Sequence, residues 1–299
     1  MRLMARETRV SPGCIPRELG GRPVLRDTSC LDGDSFVLRT DSGLGFFYRR
    51  GMGITVERGV DADPGEESLW LNGSVYAAVA CINGLMPIHA SAVVRDGRVY
   101  AFTGPSGAGK STLVAALAGY GLPMYSDDTL VLDLSDPAQV ICLPGHKRLK
   151  LTPEAIALTG AAVHEAVGAE TGKYYASPAS GPMAERGPAV QPIPLPLAEL
   201  IFLETGDAMA ITAITGGARI ARLGDDHYTT DMFIRAQNRG RGEMFALRAR
   251  LARQVAMSSL MRPRDIARFA ASVVLAARHV DDRSREPAAP AIDHESPAV

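Results

Sequence analysis

Eight consecutive residues, Gly104-Pro105-Ser106-Gly107-Ala108-Gly109-Lys110-Ser111, fit the phosphate-loop pattern G-x-x-x-x-G-K-[ST]. Each residue type suits the task. Glycines let backbone N–H groups converge on phosphate oxygens with no Cβ in the way. A helix opening at Lys110 adds the partial positive charge of its N-terminus. Lys110 can reach the β- and γ-phosphates of a nucleotide, and the Ser111 hydroxyl can ligate Mg²⁺. Thr112 follows in the same turn and joins the candidate nucleotide contacts. The stretch is no nucleophile elbow, because Ala108 stands where G-x-S-x-G needs glycine.

Asp127-Asp128 is the second feature. Two adjacent carboxylates are costly to bury unpaired, and a Mg-nucleotide site beside them supplies a partner. One can hold the metal while the other accepts a proton from an attacking hydroxyl, a step worth roughly 10²–10⁴ in rate. Which of the two takes which role stays open at this point, and a solvated turn pair is the plain alternative. His89 precedes the strands that lead into the loop and is a third candidate, for the phosphate side.

These residues need elements to position them. Residues 36–60 alternate and are punctuated by glycine, which predicts short antiparallel strands. Residues 68–83 carry Leu71, Val75, Ala78, Val79 and Ile82 at helical spacing. The run 88–94, the turn Arg95-Asp96-Gly97-Arg98 and the run 99–103 predict a hairpin feeding the loop. A helix over 110–118 follows, then strands at 122–126, 129–134, 139–143 and 147–151. Thr152-Pro153-Glu154 reads as a helix start. Six prolines make 171–198 irregular, and its Lys173-Tyr174-Tyr175 suggests a lid. Strands at 199–204 and 209–215 precede two closing helices, marked by Met244, Leu247, Leu251 and Val255 and by Ile266 to Ala277, with Arg262-Pro263 between them.

Composition bounds the function. The chain has 299 residues, 46% hydrophobic and 22% charged, so it can bury a substantial core. With 32 basic and 33 acidic side chains it has no global pull toward nucleic acid or an anionic membrane, and neither is expected as a partner. Cys14, Cys30, Cys81 and Cys142 are widely separated, which argues against a zinc site or a disulfide framework and fits a reducing, cytoplasmic location. Met1 to Pro12 has no apolar secretory core, and the apolar stretch 69–88 is broken by Asn, Gly and Pro. Nine arginines between 235 and 268 face only Glu243 and Asp265 in sequence, a solvated face or a docking surface for an acidic peptide.

His89-Ala90-Ser91-Ala92-Val93-Val94, the 104–111 loop and Ser126-Asp127-Asp128 together resemble the catalytic core of HPr kinase/phosphorylase. In that family a His heads a strand, the loop follows, and an Asp pair lies 17 and 18 residues after the loop Lys, the offsets of Asp127 and Asp128 from Lys110. The similarity covers about 88–151; Thr112 stands where that family usually carries Glu. The Pro87-to-Ser91 run and Lys147-Arg148-Leu149-Lys150-Leu151 are more similar to the stand-alone HPr-kinase-like proteins. Some of these phosphorylate a serine of a lasso-peptide precursor.

The resemblance implies an α/β fold: a P-loop kinase core of the HPr-kinase/PEP-carboxykinase type over 86–280. A β-rich subdomain with a helix would occupy 1–85, helices would close the core, and 281–299 would be a disordered tail. It implies ATP and Mg²⁺ as cofactors, a serine-bearing peptide or small protein as substrate, and a homo-oligomer. By carry-over Gly104 to Ser111 bind the phosphates, Asp127 is the expected base with Asp128 and Ser111 at the metal, His89 sits near the γ-phosphate, and Lys150 faces phosphates or peptide or is a solvated strand lysine. A P-loop ATPase driving a partner's conformational change and a small-metabolite kinase are the competing readings; no Leu-Ser-Gly-Gly-Gln signature supports an ABC-type ATPase.

Overall fold

The segment 36–60, read as short antiparallel strands, forms antiparallel sheet in the computed structural model, which describes residues 2–60, 62–144, 148–167, 171–179, 193–224 and 228–286. After a short helix α1 (Arg2–Glu7), the first sheet takes β1 (Val10–Pro12), β4 (Thr28–Asp32), β5 (Ser35–Arg39), β6 (Leu44–Arg49) and β7 (Gly53–Arg58), in the order β1-β7-β6-β5-β4. A two-residue pair, β2 (Glu18–Leu19) with β3 (Arg22–Pro23), lies in the long connection.

The predicted 68–83 helix is three joined pieces. α2 (Pro64–Trp70) starts earlier, capped by Asp63, whose side chain accepts from the Gly65 N–H. A π-helical turn (Leu71–Val75) follows, then α3 (Tyr76–Ile82), every residue of which is buried. All-round burial has a cause. One apolar cluster runs from Phe36, Phe46 and Tyr48 through α3 to Val131 and Leu143 of the second sheet.

That second sheet has nine strands among the described residues. They are β8 (Met86–Ile88), β9 (Ala90–Arg95), β10 (Arg98–Thr103), β11 (Met124–Ser126), β12 (Leu130–Asp133), β13 (Ile141–Leu143), β17 (Leu195–Thr205), β18 (Ala210–Ala213) and β19 (Ala256–Arg262). The hairpin β9–β10 turns on Asp96 and Gly97, both at positive φ (49° and 70°). β17 is the hub: it runs parallel to β10 and β19 and pairs its first residues with β13. Helix α4 (Lys110–Ala118) and α9 (Phe269–Arg285) cover one face through Leu113, Leu117, Val273 and Val280. The opposite face is covered by α7 (Tyr228–Gln237) and α8 (Arg241–Gln254) through Phe233, Met244 and Leu251. α5 (Pro153–Thr159) and the small sheet β14 (Leu149–Leu151), β16 (Tyr174–Ser177), β15 (Ala162–Ala166) flank α4.

Three expectations are corrected, and two helices carry no sequence signal. Arg262-Pro263 is no simple break between two helices, because β19 stands there, placed by parallel pairing with β17 that local pattern does not announce. Tyr174–Ser177, expected irregular, is the middle strand of the small sheet, its bonds supplied by β14 and β15; 180–192 lies outside the described residues. α6 (Gly217–Arg222) and α7 are helices that the periodicity did not signal. The expected tail from 281 begins too early: α9 continues to Arg285, with Val280 and Ser284 buried. Residues 287–299 are outside the described set. No helix among the described residues is long and apolar enough to cross a membrane.

Candidate functional site

The loop begins where β10 ends. Gly104 has φ 147°, and a Cβ there would stand 3.0 Å from the Leu203 carbonyl oxygen of β17. Gly107 (φ 77°) and Gly109 (φ 82°) hold left-handed conformations, and Gly109 opens α4. The N-terminus of a nine-residue helix therefore faces the loop. Lys110 is only 5% exposed; its Nζ donates to the carbonyls of Gly104 (2.9 Å) and Pro105 (3.1 Å). Burial lowers its pKa to about 8, against the opposing pull of the Asp128 and Asp127 charges.

The Asp pair sits just past β11, whose antiparallel pairing with β9 brings Ser91 beside it. The two carboxylates differ sharply. Asp127 is 5% exposed. Its Oδ1 accepts from Ser91 Oγ at 2.6 Å, its Oδ2 accepts from the Lys150 backbone N–H at 3.2 Å, and the Ser111 hydroxyl donates to it as well. Burial raises its pKa in spite of those hydrogen bonds. Asp128 has a 31% exposed side chain and a left-handed backbone, φ 70°, which Asp tolerates better than most residues. Its Oδ2 lies 2.7 Å from Lys150 Nζ and its Oδ1 3.4 Å from His89 Nδ1. Burial pushes the Asp128 pKa up, but Lys150 and then His89 outweigh it and hold it below the usual carboxylate range.

His89 thus belongs to Asp128. Its Nδ1 is also 3.0 Å from the Asp128 carbonyl oxygen, which can only accept, so Nδ1 carries the hydrogen. The Thr103 hydroxyl donates to the His89 carbonyl (3.1 Å) and ties this corner to the last residue of β10. Lys150 is a partner of both aspartates, and the strand β14 delivers it.

Three cavities meet around the loop. One of about 250 Å³ is lined by Ser111, Asp127, Asp128, Lys150, Thr171 and Lys173. Another, of about 600 Å³, runs from Gly107–Gly109 and Thr112 to Pro263, Ile266 and Phe269. The third, of about 450 Å³, lies beside His89, Gly104, Pro105 and Ser106. The structure therefore brings His89, the whole loop, Ser111, Thr112 and both aspartates to one place.

Arg262 was not singled out among the nine arginines. Half-buried at the end of β19, it donates from Nη2 to the carbonyls of Ala108 (2.7 Å) and Gly109 (3.3 Å). Burial lowers its pKa. Only the strand assignment of 256–262 would have placed it at the loop.

No family model and no curated protein matches the chain. Among solved structures it is similar to the Hpr(Ser) kinase/phosphatase from Coxiella burnetii. The two are 14% identical, with 66% of this chain and 90% of that chain covered, at a TM-score of 0.32. That likeness is too slight to carry an argument. The chain has a mixed α/β fold. What it does must be argued from the site.

Proposed function

We propose that the protein is a serine kinase that transfers the γ-phosphate of Mg-ATP to a hydroxyl of a peptide or small protein. The observation that carries this reading is the placing of two unlike carboxylates beside a phosphate loop. Asp127 is buried against Ser111, and Asp128 is half open between His89 and Lys150.

The residues suit a Mg-nucleotide. The left-handed glycines Gly107 and Gly109 let the loop wrap toward the α4 N-terminus, and hard oxygen donors, Ser111 Oγ and the Asp127 carboxylate, lie beside it. The Ser111 hydroxyl and Asp127, directly or through water, would hold the metal, which supplies neutralisation of charge on the phosphates. This exchanges the roles expected of the two aspartates, because only Asp127 reaches Ser111. Lys110 turns from the Gly104 and Pro105 carbonyls toward the β- and γ-phosphates. Asp128 stays ionised under the Lys150 charge and accepts the proton of the acceptor hydroxyl. The hydroxyl oxygen then bonds the γ-phosphorus as its bond to the ADP oxygen breaks. His89 orients Asp128 through Nδ1.

The test is phosphoryl transfer from γ-labelled ATP to a pool of small peptides and proteins from the same organism, including any short precursor peptide encoded beside the gene. The lasso-peptide resemblance makes that precursor the first acceptor to try. Label on serine, lost in Asp128→Asn and Asp127→Asn, is the expected result. Label released only as free phosphate would overturn the kinase reading in favour of a partner-driven ATPase.

A further inference from the structure

The 450 Å³ cavity opens beside Gly104, Pro105 and Ser106, at the start of the loop and on its His89 side. Lys110 Nζ sits on the Gly104 and Pro105 carbonyls, and both residues line this cavity. The larger cavity at Gly109 and Thr112 lies toward the start of α4. His89 also lines the 450 Å³ cavity, and its Nδ1 contacts Asp128. A group seated there is one imidazole ring away from the proposed base.

The walls state the chemistry. Met86, Ile88, Leu200, Phe202, Leu223 and Leu251 line it, and no Asp or Glu does among the described residues. Arg222, at the rim, is paired with Glu204. At one wall Thr229 is 2% exposed, and its Oγ1 has no hydrogen-bond partner among the described residues. A buried hydroxyl left in that state costs free energy that an incoming polar atom can recover. The volume is at the small end of ligand pockets, which run about 300–1,000 Å³.

The geometry points to an acceptor-specificity pocket that takes an apolar group of side-chain size next to the hydroxyl being phosphorylated, with one polar atom to meet Thr229. In a peptide this is a Leu-, Met- or Phe-like residue within two positions of the acceptor serine, its neighbouring carbonyl accepting from Thr229 Oγ1. The inference rests on the kinase reading and adds the substrate class to it.

Two measurements test it separately. The first soaks crystals of the full chain in 3-methylbutan-1-ol. The alcohol is expected between Leu200 and Leu251 with its hydroxyl toward Thr229; a cavity that stays dry overturns the proposal. The second measures transfer from γ-labelled ATP to serine hexapeptides scanned with Leu, Met, Phe, Gly, Asp or Lys at each position within two residues of the serine. At least a tenfold preference for the apolar residues is expected. It should vanish in Leu223→Trp and in the milder Thr230→Met, with nucleotide affinity read in parallel as the check on folding. A flat preference in labelled peptides overturns the pocket and spares the kinase. Alcohol bound with no peptide labelled supports the pocket and counts against the peptide-kinase reading.

Discussion

Lys150 touches both members of the Asp127–Asp128 pair. Its backbone N–H donates to Asp127 Oδ2 at 3.2 Å, and its Nζ lies 2.7 Å from Asp128 Oδ2. One residue of β14 thus holds two adjacent carboxylates by two different means. The consequence is a split: burial raises the pKa of Asp127, while the Lys150 charge overcomes burial at Asp128 and lowers it. Neighbouring carboxylates with pKa values driven apart are the arrangement that separates two roles in one site.

Lys150→Met removes the charge and keeps the backbone bond. The Asp128 pKa should then rise, because burial is no longer opposed by Lys150. The base is protonated at a higher pH, so the acid limb of the kcat profile moves upward. Activity should be lost at the acid end of the profile, in and below the usual carboxylate range, and change little at pH 8. A pH–rate profile unchanged in shape would show that Asp128 is not the base.

Asp127→Asn should stabilise the nucleotide-free protein while removing activity. The native carboxyl binds its proton more tightly than the unfolded one, because burial raises the pKa. Below the unfolded pKa both states are protonated and the penalty is absent; it grows as pH rises through the raised native value. Thermal melts should therefore place the variant above the wild type at pH 7, with the gap closing near pH 3. A variant that melts below the wild type at pH 7 would mean the hydrogen bonds from Ser91, Ser111 and Lys150 outweigh the burial penalty.

Much of this site was legible in the sequence for a physical reason. The loop is contiguous, and its glycines are dictated by local backbone geometry at Gly104, Gly107 and Gly109. The Asp pair follows at a fixed distance because only one helix and one strand intervene. Pairing across the fold was not legible. His89 was placed on the phosphate side, but which carboxylate it contacts depends on the β9–β11 register. The roles proposed for Asp127 and Asp128 rest on one side chain being buried and the other half open, which no spacing encodes. β19 and Arg262 were hidden for the same reason, since a strand inside a sheet can read like a helix segment until its neighbours are known.

Lys110 makes nucleotide affinity pH-dependent. With its pKa lowered to about 8, it is mostly charged at pH 7 and mostly neutral at pH 9. Phosphate binding requires the charged form. Affinity for Mg-ATP should fall about tenfold per pH unit above 8, the loss expected when binding takes up one proton. Lys110→Met should bind at least 10²-fold more weakly, given charge-assisted bonds to phosphate worth about 1.5–3 kcal/mol each, and its affinity should not vary between pH 7 and 9. Isothermal titration at three pH values reads both effects.

The loop glycines should differ from one another when replaced by alanine. At Gly107 the cost is conformational alone, since φ is 77° and open space surrounds a Cβ; about 1 kcal/mol is expected. At Gly104 the same strain is joined by a 3.0 Å contact with the Leu203 carbonyl, and a backbone neighbour cannot rotate away. Gly104→Ala should cost about 2–3 kcal/mol and push β10 from β17. Denaturant melts that rank Gly107→Ala as the worse variant would contradict the parallel packing of these strands at the loop.

Arg262 lets stability and binding be told apart. Its Nη2 reaches two loop carbonyls, Ala108 at 2.7 Å and Gly109 at 3.3 Å, from a neighbouring strand of the same sheet. The loop must keep its N–H groups turned toward phosphate, and tying the carbonyls back on the other side favours that orientation. Arg262→Ala leaves two carbonyls without their cationic donor, and Mg-ATP affinity should weaken about tenfold, the worth of roughly one charged hydrogen bond. Arg262→Lys keeps the charge but has a single compact donor head in place of the planar fork, and should recover only part of the loss. Equal affinities for wild type, Ala and Lys would show that the loop holds its shape through glycine geometry alone.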